Sequence, residues 1–246
     1  MSSARILVIE HEPDCGPGGV GAVLRAAGAR LTVVGPHTGR ELPRDLTGFD
    51  ALLVLGGSPG PLDDDTAPWL PATRALVAEA LADELPLLGI CLGAQILAVA
   101  AGGTVTEAEH PEVGLSGFAL TEAAAEDPLL GGLDRPLDAL QWHFLEATTL
   151  PPGSASLARS ERCANQAFRV GPCAWGLQFH LEADAATAGE WASAPESAEQ
   201  LDRLGIDADR LVAEMADAEA RLRSDWAVVP RRWLRVIDAR RGALTA

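Results

Sequence analysis

The stretch Pro86-Leu87-Leu88-Gly89-Ile90-Cys91-Leu92-Gly93-Ala94-Gln95, followed by Ile96 to Gly103, constrains the chain more than any other. An apolar lead-in, a cysteine with glycines two residues to either side, and an immediate helix-forming run predict strand, sharp turn and helix. A side chain at such an elbow leaves the sheet at its carboxyl edge, and the first amides of the helix point toward it. The positive helix end favours a thiolate there. Free cysteine is also among the most buried residue types, so this stretch alone leaves Cys91 open between nucleophile and core filler.

Short apolar runs recur on the amino side of the elbow. Arg5 to Glu10, Leu31 to Gly35 and Ala51 to Leu55 read as strands, with helices over Val20 to Ala27 and from Pro68 to Leu85. Continuous apolar strands alternating with helices predict an α/β fold with a doubly wound, mostly parallel central sheet. After Gly103 the pattern changes to short segments divided by Gly and Pro turns: 103–107, 113–121, 139–143, 156–158, 167–170 and 175–180. These predict a small antiparallel extension that feeds one last central strand. From about residue 184 to 246 the composition is helical, with Asp184 and Asp207 as caps and an apolar stripe of Leu204, Leu211, Met215, Leu222 and Trp226. The arginines of 231–241 are expected to fold back on an acidic body. No linker divides the 246 residues, so one domain over 1–246 is expected.

Several function classes are disfavoured. All 19 basic residues are arginine, which removes a phosphate-loop lysine and a Schiff-base lysine. The loop after the first strand lacks the dinucleotide spacing, and Gly56-Gly57-Ser58 runs into Asp63-Asp64-Asp65, a poor phosphate cradle. A glycine pair at a strand's carboxyl end does suit close approach of backbone amides to a ligand. The net charge of −16 argues against nucleic acid or an anionic membrane as partner. Met1 to Arg5 shows no secretory pattern, and the 85–101 apolar run is too short and glycine-rich for a membrane span. Cys15, Cys91, Cys163 and Cys173 form no C-x-x-C pair. Reduced thiols, a cytoplasmic location and no metal or cofactor are therefore expected.

On the last strand, His180 and Glu182 stand two apart, a spacing that puts both side chains on one face of extended chain. A base paired with its own orienting carboxylate, in a chain that also holds a cysteine elbow, is the arrangement of nucleophilic catalysis.

Taken together, Leu55-Gly56-Gly57-Ser58 with Pro68-Trp69-Leu70, the elbow Gly89 to Gln95, Glu112-Val113-Gly114, Gln141-Trp142-His143, Gln166-Ala167-Phe168-Arg169 and Gly176 to Glu182 resemble the class I (triad) glutamine amidotransferases. Within that family the chain is similar to stand-alone members related to the amidotransferase domain of GMP synthase. The resemblance implies a triad of Cys91, His180 and Glu182, a γ-glutamyl thioester, and release of ammonia to a partner synthase. It implies oxyanion donors at the amides of Gly57 and Leu92, a substrate contact at Gln95, and a pocket wall at the His143 loop. Two positions depart from the family pattern. Leu181 stands where proline is more common, and Phe144-Leu145 stand where a small residue and an acid often follow the histidine. The bulkier wall keeps a γ-glutamyl amine or peptide open as substrate beside glutamine. A catalytically silent regulatory subunit is the alternative from another class.

Overall fold

The computed structural model describes residues 3–133 and 137–244. Its elements in chain order are β1 (Arg5–Ile9), α1 (Gly18–Ala26), β2 (Arg30–Val34), β3 (Ala51–Val54), α2 (Leu70–Ala82), β4 (Leu87–Ile90), α3 (Leu92–Ala100) and β5 (Thr104–Leu120). They continue with β6 (Leu137–Thr149), β7 (Ala155–Arg159), β8 (Ala167–Val170), β9 (Ala174–Leu177), α4 (Ala185–Ser193), α5 (Pro195–Leu204), α6 (Ala208–Trp226) and α7 (Val228–Leu244).

The described strands form one nine-stranded sheet in the order β2-β1-β3-β4-β9-β8-β7-β5-β6. The ladders from β2 through β1, β3 and β4 to β9 are parallel, and those from β9 onward are antiparallel. This is the expected mostly parallel α/β sheet with its antiparallel extension. Alternation along the central strands fills both faces: Ile6 and Val8 pack with Val20 and Leu24 of α1, whereas Leu7 and Ile9 share a core with Leu76 and Val77 of α2 and Ile96 and Leu97 of α3. Burial on both faces is why these strands read as unbroken apolar runs.

The antiparallel part is longer than the turn residues predict. The segments expected at 103–107 and 113–121 merge into one strand, β5 (Thr104–Leu120), which absorbs Pro111 through a register irregularity between Glu107 and Glu112. Its partner β6 likewise runs well past His143, so Trp142 to Glu146 lie in a strand and not in a loop. Conversely β9 stops at Leu177, and His180 keeps a single bridge, to Leu140 of β6. That bridge folds the β5–β6 hairpin over the carboxyl edge of the parallel strands.

Helices α4 to α7 complete the first face beside α1. Leu211, Met215, Leu222 and Trp226 of α6 and Trp233 and Ile237 of α7 belong to the same core as β1 and β3. Trp226 stacks on Phe118 (5.9 Å) and meets Phe179 (5.0 Å). Asp184 and Asp207 cap α4 and α6 as expected. Leu204 leaves the predicted stripe: α5 ends at the left-handed Gly205, and Leu204 is exposed. Of the C-terminal arginines, two meet carbonyls and one meets carboxylates. Arg232 donates to Leu129 O and Gly131 O and Arg240 to Asp83 O, while Arg241 pairs with Asp50 and Asp238.

Candidate active site

The elbow is built by close packing. A Cβ on Gly89 would come within 2.5 Å of the Gly93 carbonyl group, and one on Gly93 would overlap the Val54 carbonyl oxygen of β3. Only glycine at both places lets α3 start directly behind β3 and β4. Cys91 absorbs the turn with φ 49° and ψ −107°, a left-sided conformation that L residues avoid. Its amide donates to Leu177 O (2.8 Å), tying the elbow to the end of β9.

His180 reaches the elbow from beyond β9. Its amide donates to Leu140 O (2.9 Å), and its ring packs edge-on against Trp191 (4.6 Å). Nδ1 lies 2.7 Å from Glu182 Oε1, with both side chains buried. Because the carboxylate only accepts, Nδ1 carries the proton and Nε2 is left as the basic nitrogen. Burial alone would lower the affinity of His180 for a second proton. The Glu182 charge and the adjacent Cys91 sulfur, a hydrogen-bond partner of the ring, outweigh it and push the imidazole up to about 10.

The glycine pair after β3 forms the opposite wall. A Cβ on Gly56 would touch His180 Cε1 (3.2 Å), and one on Gly57 would press on His11 and Leu92 (3.1 Å each). His11, stacked on Trp69 at 4.4 Å, donates from Nδ1 to Gly56 O (3.0 Å) and holds this loop in place. Among the described residues the amides of Gly57 and Leu92 find no hydrogen-bond partner. Leu92 N opens α3, where no intrahelical acceptor exists.

A cleft of about 650 Å³ opens over Cys91 and is lined by Gly57, Gln95, Phe144, Leu145 and His180 among others. Glu12, Asp14, Asp63 and Glu196 stand around it, and among the described residues no arginine lines it.

Of the sequence-predicted site residues, Gly57, Cys91, Gln95, His143 and His180 line this cleft, Glu182 stands behind His180 and the Leu92 side chain packs at Gly57, and two of the lining residues do so differently from expectation. Gln95 spends its amide nitrogen on Leu145 O (3.1 Å) and Gln178 Oε1 (3.3 Å). The His143 ring is held within the protein, with Nδ1 on Leu145 O (3.1 Å) and Nε2 3.3 Å from Glu112 Oε2. Glu112 also accepts from Gln166 (2.6 Å) and Ser160 (3.0 Å), and the ligating atoms of Glu112, His143 and Cys163 lie within 4.8 Å of one another. The wall over the thiol is thus the Trp142 carbonyl, 3.7 Å from Cys91 Sγ, with Phe144 and Leu145.

Sequence reasoning gave no role to Gln178, Glu112 or Trp191. Gln178 shares the two-residue spacing of His180 and Glu182 and was detectable on that ground. Trp191, on α4, carries no such signal.

The profile of the family described as Glutamine amidotransferase class-I matches residues 20–192. A glutamine amidotransferase-like protein of Salmonella typhimurium is 32% identical over 149 residues, 59% of this chain and 62% of that protein. GMP synthase [glutamine-hydrolyzing] of Porphyromonas gingivalis is 39% identical over 143 residues, 58% of this chain but 26% of the synthase. The matched segment therefore spans about three fifths of the first relative and about a quarter of the second. Among solved structures, a glutamine amidotransferase of Thermotoga maritima superposes with TM-score 0.83 at 27% identity, over 95% of this chain and 99% of that one. One from Methylobacillus flagellatus gives 0.83 at 29% identity, over 95% of each chain. With the elbow, the glycine loop and His180, backed by Glu182, at one cleft, and with the profile running across most of the sheet, the chain belongs to the class I glutamine amidotransferase family.

Proposed function

We propose that the protein hydrolyses the side-chain amide of glutamine through a covalent thioester on Cys91, and that residues 1–246 act as one amidotransferase-like domain. The observation that carries this reading is the buried His180–Glu182 pair at 2.7 Å, set beside a cysteine on a strained elbow at the start of a helix.

His180 takes the thiol proton, and the sulfur attacks the amide carbon. The oxyanion is held by the free amides of Gly57 and Leu92. The imidazolium returns the proton to the leaving nitrogen, the C–N bond breaks, and ammonia departs. Water then adds to the thioester with His180 as base; the C–S bond breaks, giving glutamate and the free thiolate. Glu182 holds the imidazole tautomer and stabilises its cation. The ammonia goes to a partner synthase, in line with the synthase relatives.

Incubation with glutamine, alone and with candidate synthases, is expected to yield glutamate and ammonia, with Cys91→Ala inactive. No glutamate under any of these conditions overturns the proposal.

One observation favours a second reading. The cleft exceeds what a glutamine side chain fills, and it is acidic and walled on one side by Phe144 and Leu145. A γ-glutamyl amine with an apolar or cationic leaving group fits that description. Turnover of γ-glutamyl amides in preference to glutamine supports it; preference for glutamine rejects it.

A further inference from the structure

We propose that Gln178 is a catalytic residue that donates a hydrogen bond to the Cys91 thiolate, and that Gln95, His143 and Glu112 are positioning residues that fix which end of its amide faces the sulfur. This rests on the reading of Cys91 as the nucleophile.

The orientation follows from donors and acceptors alone. Leu145 O is a backbone carbonyl and only accepts, so Gln95 must present Nε2 to it. The second hydrogen of that nitrogen points to Gln178, which must accept with Oε1 (3.3 Å). Gln178 Nε2 is thereby turned toward Cys91 Sγ, 3.6 Å away, a normal separation for an acceptor as large as sulfur. The amide assignment, ordinarily a choice between two flips, is settled by the carbonyl at the end of the chain.

The anchor of the chain is itself held. Leu145 O also accepts from His143 Nδ1, and the far side of that ring faces Glu112, which accepts from Gln166 and Ser160. The line from Glu112, which meets the His143 ring by contact without a hydrogen bond, through His143, Leu145 O and Gln95 to Gln178 runs through residues that are buried or nearly so, where an N–H aimed at a charge is worth most. A fixed donor 3.6 Å from the sulfur favours the thiolate over the thiol and complements His180 from another side. The other titratable groups around Cys91 are His180 with Glu182 beyond β9, Cys15 in the loop after β1, His143 on β6, and Glu12, Asp14, Asp63 and Glu196 at the cleft.

The test reads the thiol directly. Alkylation of Cys91 by iodoacetamide, followed by mass spectrometry from pH 5 to 10, needs no turnover, so failure of this proposal is distinguishable from failure of the glutaminase reading. Gln178→Leu, close in shape and lacking the donor, is expected to move the alkylation midpoint upward and slow alkylation at neutral pH about tenfold. Gln95→Met should give a smaller change of the same sign, and the double variant should be no slower than Gln178→Leu alone. Thermal unfolding of each variant identifies the folded ones, and Gln95→Met carries the test if Gln178→Leu does not fold. An unchanged alkylation profile in the folded variants, or additive effects in the double variant, overturns the proposal. So does a stoichiometric metal ion in the purified protein that is lost in Glu112→Gln, because the Glu112–His143 contact would then not be a link in this chain.

Discussion

His180 Nδ1 and Glu182 Oε1 meet at 2.7 Å although the strand that leads to them ends at Leu177. Their shared face is kept by the bridge from His180 N to Leu140 O, so the β5–β6 hairpin and not the parallel sheet aligns the pair. Glu182→Gln is expected to keep the fold and cut kcat by roughly 10²- to 10⁴-fold, because an amide nitrogen facing Nδ1 inverts the tautomer and fills the basic nitrogen with a proton. Steady-state glutamine hydrolysis checks the rate, and denaturant melting checks the fold.

The strain at Cys91 can be measured without any substrate. A non-glycine residue at φ 49°, ψ −107° costs about 1–3 kcal/mol. Cys91→Ala keeps that cost and Cys91→Gly removes it, less about 0.5–1 kcal/mol for the extra freedom of the unfolded chain. Cys91→Gly should therefore be the more stable of the two by about 1 kcal/mol in urea titrations. Equal stability, or greater stability of the alanine variant, would show the elbow to be unstrained.

Gly93 is the tightest point of the site's frame. An alanine there must displace the backbone of β3 at Val54, which no rotamer change can relieve. The expected loss is about 3 kcal/mol, at the upper end for overpacking, and it moves Leu92 N with it. Chemical denaturation together with kcat for Gly93→Ala should show both effects, whereas Gly102→Ala, with open space around its Cβ position, changes stability only through its positive φ.

The parallel sheet was legible because strands buried on both faces must be continuously apolar, and the elbow because only glycine fits where Gly89 and Gly93 stand. The His180–Glu182 pairing was legible through its spacing, even though the residues lie past the strand. What stayed hidden depends on distant pairing. Pro111 reads as a break, yet β5 runs through it because β6 supplies a partner on either side of the irregularity. Glu112 and His143 are direct cross-strand partners 31 positions apart, and neither shows in isolation that its side chain will be turned toward the other. The apolar spacing from Leu204 to Leu211 crosses Gly205, where one helix ends before the next starts on a new axis, so Leu204 falls off the stripe.

His11 makes the site acid-sensitive. Nδ1 donates to Gly56 O and so carries the proton of the neutral ring, while Nε2 is buried without a partner among the described residues. A second proton would have no acceptor, and burial lowers the imidazole from 6.5 to about 4. With the folded value below the unfolded one, the stabilising contribution is fully present above pH 6.5 and is lost as pH falls through about 4, since the unfolded chain binds the proton first. The shift corresponds to about 3 kcal/mol. His11→Gln can still donate to Gly56 O but cannot titrate. Stability measured from pH 7 to pH 4 should therefore fall by about that much more in the unsubstituted protein than in the variant. Equal acid sensitivity of the two would place the acid-labile group elsewhere and leave His11 with a packing role against Trp69 alone.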